Sequence, residues 1–254
     1  MAEEKILALA EKKLGDLASN PYPGRGIVIG MDETGESLIQ AYWIMGRSAS
    51  SRNRVFIEDK NGSIITDYAD PSQAKGDPEL IIYRAMGHEN LKDLASHVVS
   101  NGKQTDAVLY ELELVLPGNL VDSLANWEYE PDAPNYTPRI TAESGYLSQK
   151  MPYGQMVLLR KSILGDFCER NYFSFDQFLP GIGHCMTTYL GDGNPLPAFA
   201  GEPYLLPLKG KIYEVANTLW AALNEENRVA LAVKFIEPNG DFYTKIINKY
   251  QPFK

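Results

Sequence analysis

Cysteine and histidine are scarce in this sequence, which narrows the chemistry that it can support. Its 254 residues include only two cysteines, Cys168 and Cys185. The two could pair, but so few cysteines are typical of a reducing compartment, and we expect both to be free thiols. The three histidines, His88, His97 and His184, include no pair one helical turn apart and no neighbouring carboxylate set of the zinc-enzyme kind. The sequence therefore predicts no metal site.

Long apolar runs and the common nucleophile and phosphate motifs are also missing. No stretch of eighteen apolar residues occurs, and no signal-like apolar run follows a basic N-terminus. We therefore expect a cytoplasmic protein without a membrane partner. Neither a Walker loop nor a Gly-x-Ser-x-Gly elbow is present. Any phosphate site or catalytic centre must therefore be built in another way.

Positive charge is in deficit. Lysine and arginine total 24 against 33 aspartates and glutamates, which gives a net charge of -9 at pH 7. The resulting field repels nucleic acid and anionic lipid, so we expect neither as a partner. An anionic ligand must instead be bound by a local group of basic side chains. Hydrophobic residues make up 44% of the chain, which is enough for a sizeable core.

Hairpin patterns dominate what the sequence does contain. Apolar residues at helical spacing predict an N-terminal helix over residues 3–18. Beyond it, runs of β-branched and aromatic residues alternate with turn residues, and Asn61-Gly62 is the clearest tight turn. The predicted strands are 26–30, 38–44, 55–58, 63–66, 80–83, 156–159, 183–190, 204–206, 229–236 and 243–247, and the later helices are 112–116, 120–127 and 211–225. Hairpins with separate helices over their faces predict a layered α+β fold. No composition shift divides the chain, so we expect one domain, 1–254.

Four polar clusters stand in turn-like settings. The most basic covers residues 46–54, where three arginines lie among serines and an asparagine. Planar guanidinium groups match phosphate or carboxylate oxygens, although such a run also fits an exposed basic loop. The other clusters are residues 23–26, 99–106 and 129–139. Each of these fits a binding loop, and each taken alone fits an ordinary turn or a rigid surface loop equally well.

The order in which these clusters follow one another is more specific than any one of them. The residues that carry the order are Gly24, Arg25, Tyr42, Arg47, Ser48, Ser51, Asn53, Arg54, Tyr83, Ser100, Asn101, Gly102, Thr105, Asp106, Tyr129, Glu130, Asn135, Thr137, Pro138 and Arg139. This series resembles the archaeal-type inosine monophosphate (IMP) cyclohydrolase family. The resemblance spans roughly residues 20–245, is strongest up to Arg139, and has later support at 193–195 and 201–203.

The resemblance implies an activity and a fold. The family converts 5-formamidoimidazole-4-carboxamide ribotide to IMP and water without a cofactor, so the expected partner is a purine ribonucleotide substrate. Its fold resembles the four-layer αββα sandwich of the N-terminal-nucleophile hydrolases. The usual nucleophile of that fold class is not expected here, because the chain begins Met1-Ala2-Glu3 ahead of a helix. We also expect a possible homo-oligomer, because metabolic enzymes of this size often form one.

The resemblance also implies site residues. The catalytic residues are Arg54, Tyr83 and Glu130: an arginine to stabilise developing negative charge, a tyrosine to pass a proton to the formyl oxygen and a carboxylate to take one from the carboxamide nitrogen. The implied substrate-binding residues comprise Arg25, Arg47 and Ser48 at the phosphate and ribose end, Asn101, Thr105 and Asp106 near the base, and in addition Asn53, Asn135 and Arg139.

The sequence departs from the family pattern in three places. An aliphatic residue replaces a tyrosine expected upstream of Tyr83, which makes Tyr68 a rival for the catalytic tyrosine. Lys103 and Gln104 stand where serine and histidine are expected. The chain is also longer than archaeal members, through its N-terminal helix and insertions within 144–181. Two other functions therefore stay open: a purine-nucleotide binding protein without catalysis, and an amidohydrolase that acts on another phosphorylated amide.

Overall fold

The computed structural model describes residues 2–75, 78–91, 94–114, 119–147 and 151–251. Within them the α-helices are α1 (Ala2–Ser19), α2 (Ala49–Arg52), α3 (Gln104–Leu114), α4 (Leu120–Ser123) and α5 (Ile212–Ala222). The strands are β1 (Gly26–Met31), β2 (Leu38–Met45), β3 (Val55–Glu58), β4 (Ile64–Asp67), β5 (Arg84–Leu91), β6 (Leu94–Ser100), β7 (Arg139–Leu147), β8 (Met151–Lys161), β9 (Cys168–Phe175), β10 (Ile182–Thr187), β11 (Tyr204–Pro207), β12 (Arg228–Ile236) and β13 (Phe242–Asn248).

These strands form two antiparallel sheets. Sheet A has six strands in the order β11-β10-β1-β2-β12-β13, and sheet B has seven in the order β3-β4-β5-β6-β7-β8-β9. Most neighbours are also consecutive in the chain, as expected for hairpins. The prediction of an α+β fold is confirmed. None of the described helices has the length and apolar character needed to cross a membrane.

Alternation along the strands separates an inner from an outer layer of apolar side chains. On β1, Ile27 and Ile29 belong to the core cluster that joins the two sheets, whereas Val28 belongs to the cluster beneath α1 and α5. On β6, Val99 joins the central cluster and Val98 packs with α3 and α4. Because successive side chains of a strand point to opposite faces, each sheet buries both faces. Helices therefore cover the outer face of each sheet.

Several predicted elements are confirmed. The predicted N-terminal helix is α1, and the helix predicted at 211–225 is α5. The three predicted hairpins β1–β2, β3–β4 and β12–β13 pair antiparallel as expected. Gly62, in the predicted Asn-Gly turn, has a φ of 77°, a left-handed conformation that glycine adopts without a steric penalty.

The strand predicted at 80–83 is wrong. A 3-10 turn occupies Pro78–Leu80, and the amides of Ile81 and Ile82 donate to the Pro78 carbonyl over 3.0 and 2.7 Å. Those two amides are therefore used within the turn and not in a sheet. The strand β5 begins only at Arg84, so Tyr83 stands at the entrance to the sheet.

Other boundaries also differ from the predictions. The helix predicted at 112–116 is the end of α3, which begins at Gln104, and residues 115 and 116 lie outside the described residues. The helix predicted at 120–127 ends at Ser123, after which the chain continues in local turns. The strand predicted at 183–190 ends at Thr187, because the amides of Thr188 and Tyr189 donate to carbonyls of Arg25 and Pro23 instead.

Gly26 supports the fold through a close approach between strands. A Cβ atom at Gly26 would lie 2.0 Å from the Trp43 ring, and Trp43 is fully buried. We expect Gly26→Ala to lower the free energy of unfolding by about 1–3 kcal/mol through this overpacking. Gly15→Ala in α1 is the matched control: no atom lies within 4 Å of the added Cβ, so the substitution should raise stability by about 0.5–1 kcal/mol. Denaturant unfolding measures both, and equal effects of the two substitutions would contradict the prediction.

Candidate active site

A cleft of about 400 Å³ opens at one end of the two sheets. Its walls come from four segments: the residues before β1, the loop after β2, the loop before β7 and the residues after β10. The lining residues are Tyr22, Gly24, Arg25, Met45, Arg47, Ser48, Ser51, Arg54, Asp132, Asn135, Thr137, Thr188, Tyr189 and Leu196. Three arginines on one wall suit an anionic ligand.

Five residues predicted for the site line this cleft together. They are Arg25, Arg47, Ser48, Arg54 and Asn135. The chain carries them on three segments that are far apart in sequence, and the fold places them around one cavity. Four residues of the 46–54 cluster, Arg47, Ser48, Ser51 and Arg54, therefore line a cavity together with residues from the other segments.

Arg25 and Glu130 form a buried ion pair beside the cleft. The Arg25 Nη1 donates to Glu130 Oε1 over 2.6 Å, and the Glu130 side chain is 3% exposed. Burial raises the pKa of Glu130 above its ordinary value, although the cation of Arg25 opposes this. Burial acts to lower the pKa of Arg25, but Glu130 and the neighbouring tyrosines together outweigh burial, and the pKa is raised. A carboxylate with a raised pKa is suited to proton transfer near neutral pH.

Arg54 is buried, and within the described residues its Nε lacks a hydrogen-bond partner. Its side chain is 7% exposed. Among the described residues, no carboxylate forms an ion pair with its guanidinium. Burial and the nearby charge of Arg25 both lower the pKa of Arg54. A buried unpaired cation is costly, so a cation of this kind at the wall of a cleft indicates a site for an anion or a developing negative charge.

Tyr83 lies close to Arg25 and Arg54. Its hydroxyl is 2.7 Å from the hydroxyl of Tyr42, and both rings are buried. Burial and then the neighbouring Tyr83 raise the pKa of Tyr42 well above its ordinary value. Tyr83 also acts electrostatically on Arg25 and Arg54. The other candidate tyrosine, Tyr68, is also buried, and neither tyrosine is among the residues that line the cleft.

Arg47 and Ser48 occupy the outer part of the cleft. The Arg47 side chain is 37% exposed, forms an ion pair with Asp192 and lies over the Tyr22 ring at 5.0 Å. Ser48 caps the short helix α2, since its hydroxyl accepts the Ser51 amide over 3.1 Å. The outer part of the cleft therefore has a solvent-accessible cation, whereas Arg25 and Arg54 lie deeper.

Glu130 and Tyr83 lie beside the cleft but are not among its lining residues, and five further predicted residues do not line it either. Asn101 and Thr105 are fully buried: the Asn101 side-chain amide donates to the Pro138 carbonyl just before β7, and the Thr105 hydroxyl donates to the Gly102 carbonyl just before α3. Asp106 forms an ion pair with Arg84 over 3.3 Å. Asn53 is hydrogen-bonded to both backbone groups of Asp70. Arg139 donates to Gln104 and stacks on the Trp127 ring. Burial lowers the pKa of Arg139, while Glu130 opposes this effect, so Arg139 lies near the Arg25–Glu130 pair.

Residues that the sequence-based site list lacks also line the cleft. They are Tyr22, Gly24, Met45, Ser51, Asp132, Thr137, Thr188, Tyr189 and Leu196. Asp132 and Thr137 lie within the polar cluster 129–139, so a local signal existed for both. The two tyrosines and Thr188 had no such signal, because ordinary aromatic and hydroxyl residues at strand ends are brought to the cleft only by the pairing of β1 with β10.

The coupling of Arg25 and Glu130 leads to a testable pH dependence. Arg25→Met removes the cation that opposes the raised pKa of Glu130, so we expect that pKa to rise further. A carboxyl with a folded-state pKa above its unfolded value contributes stability that is fully present below the unfolded pKa and lost as pH rises through the folded pKa. Arg25→Met should therefore extend this loss to higher pH.

The measurement is an NMR titration of the glutamate carboxyl carbons, in which Glu130→Gln identifies the Glu130 signal. Denaturant unfolding from acid to neutral pH gives the stability for the same variants. An unchanged or lowered pKa of Glu130 in Arg25→Met would show that the 2.6 Å contact does not control this carboxyl.

Comparison with known proteins gives one match. A family model described as IMP cyclohydrolase-like protein matches residues 22–241, which include every residue that lines the cleft. No curated protein and no solved structure matches the chain significantly.

Proposed function

The chain belongs to the IMP cyclohydrolase-like protein family, and from this premise we propose that it is an IMP cyclohydrolase. It closes the pyrimidine ring of 5-formamidoimidazole-4-carboxamide ribotide to give IMP and water, with no cofactor. The observation that carries the proposal is the buried guanidinium of Arg54 at the wall of the cleft, which forms no ion pair among the described residues and whose Nε has no hydrogen-bond partner there. A buried carboxylate and a tyrosine pair lie beside it.

The reaction joins two groups of one molecule. The carboxamide nitrogen attacks the formyl carbon, and a new carbon–nitrogen bond forms. The formyl oxygen leaves as water after it takes two protons, one from the carboxamide nitrogen and one from the formamido nitrogen. Since both reacting groups are already linked, holding them in the reactive geometry supplies a large part of the rate, on the order of 7 kcal/mol or more in favourable cases.

Three side chains suit the remaining steps. Glu130, whose pKa is raised, takes the proton from the carboxamide nitrogen. Tyr83 passes a proton to the formyl oxygen, and its bond with Tyr42 holds its hydroxyl in place. Arg54 stabilises the negative charge that develops on the formyl oxygen during attack. Among the described residues the Arg54 guanidinium has no ion-pair partner, and the negative charge on the formyl oxygen supplies one.

The outer part of the cleft suits the phosphate. Arg47 offers a cation that is 37% exposed, and Ser48 and Ser51 add hydroxyl groups beside it. The ion pair between Arg47 and Asp192 joins two flexible exposed groups and is worth little, so a phosphate dianion competes with it readily. The nucleotide then lies with its phosphate near Arg47 and its base near Arg54 and Glu130.

We also propose that the layers of helix, sheet, sheet and helix correspond to the αββα sandwich of the N-terminal-nucleophile hydrolases. The two antiparallel sheets and the helical cover on each outer face support this comparison. The proposed chemistry does not require an N-terminal nucleophile, because the attacking nitrogen belongs to the substrate.

The test is direct. Purified protein is mixed with 5-formamidoimidazole-4-carboxamide ribotide without added metal or cofactor, and IMP is followed by chromatography. Catalytic formation of IMP supports the proposal. Saturable binding of the substrate without turnover would instead support a purine-nucleotide binding protein, and hydrolysis of another phosphorylated amide would support an amidohydrolase.

A further inference from the structure

Three polar side chains on the cleft wall form a hydrogen-bonded chain to which the steps above assign no role. The Thr137 amide donates to Asp132 Oδ1 over 2.6 Å, and the Thr137 hydroxyl donates to Asp132 Oδ2 over 2.5 Å. The hydroxyl of Tyr189 lies 2.5 Å from the same Thr137 hydroxyl. All three residues line the cleft, so this chain faces the ligand space.

The direction of each proton in the chain is fixed. A carboxylate only accepts hydrogen bonds, so the proton between Thr137 and Asp132 must come from Thr137. A hydroxyl has a single proton, and that of Thr137 is therefore committed to Asp132. The bond to Tyr189 must consequently be donated by the phenol, and the phenol oxygen keeps only lone pairs for a ligand.

The phenol oxygen of Tyr189 has no other partner among the described residues. Tyr189 is 5% exposed, and no described residue donates a hydrogen bond to its phenol oxygen. Burial raises the pKa of Tyr189, so the phenol keeps its proton near neutral pH. Because its proton goes to Thr137, the lone pairs of this cleft-lining hydroxyl are available to a hydrogen-bond donor of the ligand.

Tyr189 lies between the two ends of the cleft. On one side its ring stacks on Tyr22 with centroids 6.0 Å apart, and Tyr22 lies beneath Arg47. On the other side its hydroxyl meets Thr137, whose carbonyl accepts the Glu130 amide over 2.8 Å. Through these contacts Tyr189 links the part of the cleft at Arg47 to the part at Glu130. In a nucleotide the ribose occupies this middle place, and its hydroxyl groups are hydrogen-bond donors.

We propose that the phenol oxygen of Tyr189 accepts a hydrogen bond from a ribose hydroxyl of the bound nucleotide, and that Asp132 and Thr137 hold the phenol as an acceptor. Tyr189 is then a specificity residue that distinguishes ribonucleotides from deoxynucleotides. This inference rests on the proposed function, because it takes a purine ribonucleotide as the ligand.

The first experiment measures binding of IMP, 2′-deoxy-IMP and 3′-deoxy-IMP by calorimetry. We expect the wild-type protein to bind IMP about tenfold more tightly than one of the two deoxy analogues, which is the size of one well-formed hydrogen bond. Tyr189→Phe should weaken IMP binding by about tenfold and abolish this discrimination, because the lost acceptor serves only the ribonucleotide. The matched control is Tyr146→Phe, which removes a hydroxyl bonded to the Glu36 carbonyl outside the cleft and should leave the discrimination intact.

A second variant keeps Tyr189 and reverses the direction of the hydrogen bonds that join Asp132, Thr137 and Tyr189. In Asp132→Asn the amide group donates to the Thr137 hydroxyl, which then donates to Tyr189. The phenol must then turn its own proton toward the ligand, and the ribose hydroxyl must accept this bond instead of donating one. The ratio of IMP to deoxy-IMP affinities should therefore change although Tyr189 is unchanged. A role of Asp132 in structure alone would lower stability without altering the ratio of IMP to deoxy-IMP affinities.

The results distinguish a wrong assignment of Tyr189 from a wrong proposed function. If wild-type protein forms IMP but does not distinguish ribose from deoxyribose, or if Tyr189→Phe keeps the distinction, the assignment of Tyr189 is wrong and the proposed function stands. If wild-type protein neither forms IMP from the formyl nucleotide nor binds IMP, the proposed function and the assignment both fall.

Discussion

Replacing Glu130 by glutamine is expected to lower kcat by about two to four powers of ten, the usual contribution of a positioned acid or base. The carboxylate is 3% exposed and has a raised pKa, so it is the described group near Arg54 and Tyr83 best suited to take the carboxamide proton. Glutamine has almost the same shape but does not take up a proton. The loss should therefore fall on kcat more than on KM. Steady-state formation of IMP from the formyl nucleotide measures both constants.

Folding must be controlled in this experiment, because Glu130→Gln leaves Arg25 buried beside a neutral group. Breaking a buried ion pair by removing one partner costs about 3–5 kcal/mol, and unfolded protein would imitate a catalytic defect. Glu143→Gln is the matched control: Glu143 is another buried carboxylate, hydrogen-bonded to Ser96 and Tyr153 outside the cleft. It should lower stability while kcat of the folded protein stays near that of the wild type. Near-normal turnover of folded Glu130→Gln would remove Glu130 from the catalytic set.

Local patterns predicted those parts of the fold that depend on local physics. The β3–β4 hairpin follows from Asn61-Gly62, because few residues other than glycine accept the positive φ of that turn. By contrast, no strand was predicted at β6, β7 or β9. The strand β9 is exposed on one side, and β7 directly follows a proline-rich loop, so neither shows the simple alternation that identifies a strand. Pairing across sheet B determines these strands.

The candidate site shows the same division. Arg25, Arg47 and Arg54 were identifiable because arginine among glycine and serine is unusual in a chain with a net charge of -9. Tyr189 was not, since nothing in its neighbourhood distinguishes it from a core tyrosine. Asn101 and Thr105 were expected near the base, but their side chains donate to the backbone carbonyls of Pro138 and Gly102. Sequence separates polar residues from apolar ones, but not a hydrogen bond to the ligand from one to the backbone.

Removal of the Arg54 charge should have opposite effects on stability and on activity. In Arg54→Met a buried, unpaired guanidinium is replaced by an apolar chain of similar length. We expect the free energy of unfolding to rise by about 1–4 kcal/mol, as when buried charges are replaced by well-packed apolar residues. For a chain of this size the melting temperature would rise by about 2–4 °C per kcal/mol. Thermal unfolding of the ligand-free protein measures this change.

The same substitution should lower kcat by about 10²–10³-fold, as removal of one donor to a developing oxyanion does. Arg47→Met is the matched control, because Arg47 is 37% exposed and paired with Asp192: its loss should change stability by less than about 1 kcal/mol and raise KM more than it lowers kcat. The two arginines thus separate phosphate binding from catalysis. If Arg54→Met destabilised the ligand-free protein, the Arg54 charge would be compensated without substrate. A more stable variant with normal turnover would mean that the charge serves neither folding nor this reaction. The proposal requires both a gain in stability and a loss of kcat, because the Arg54 charge is then uncompensated in the free protein and stabilises negative charge only during the reaction.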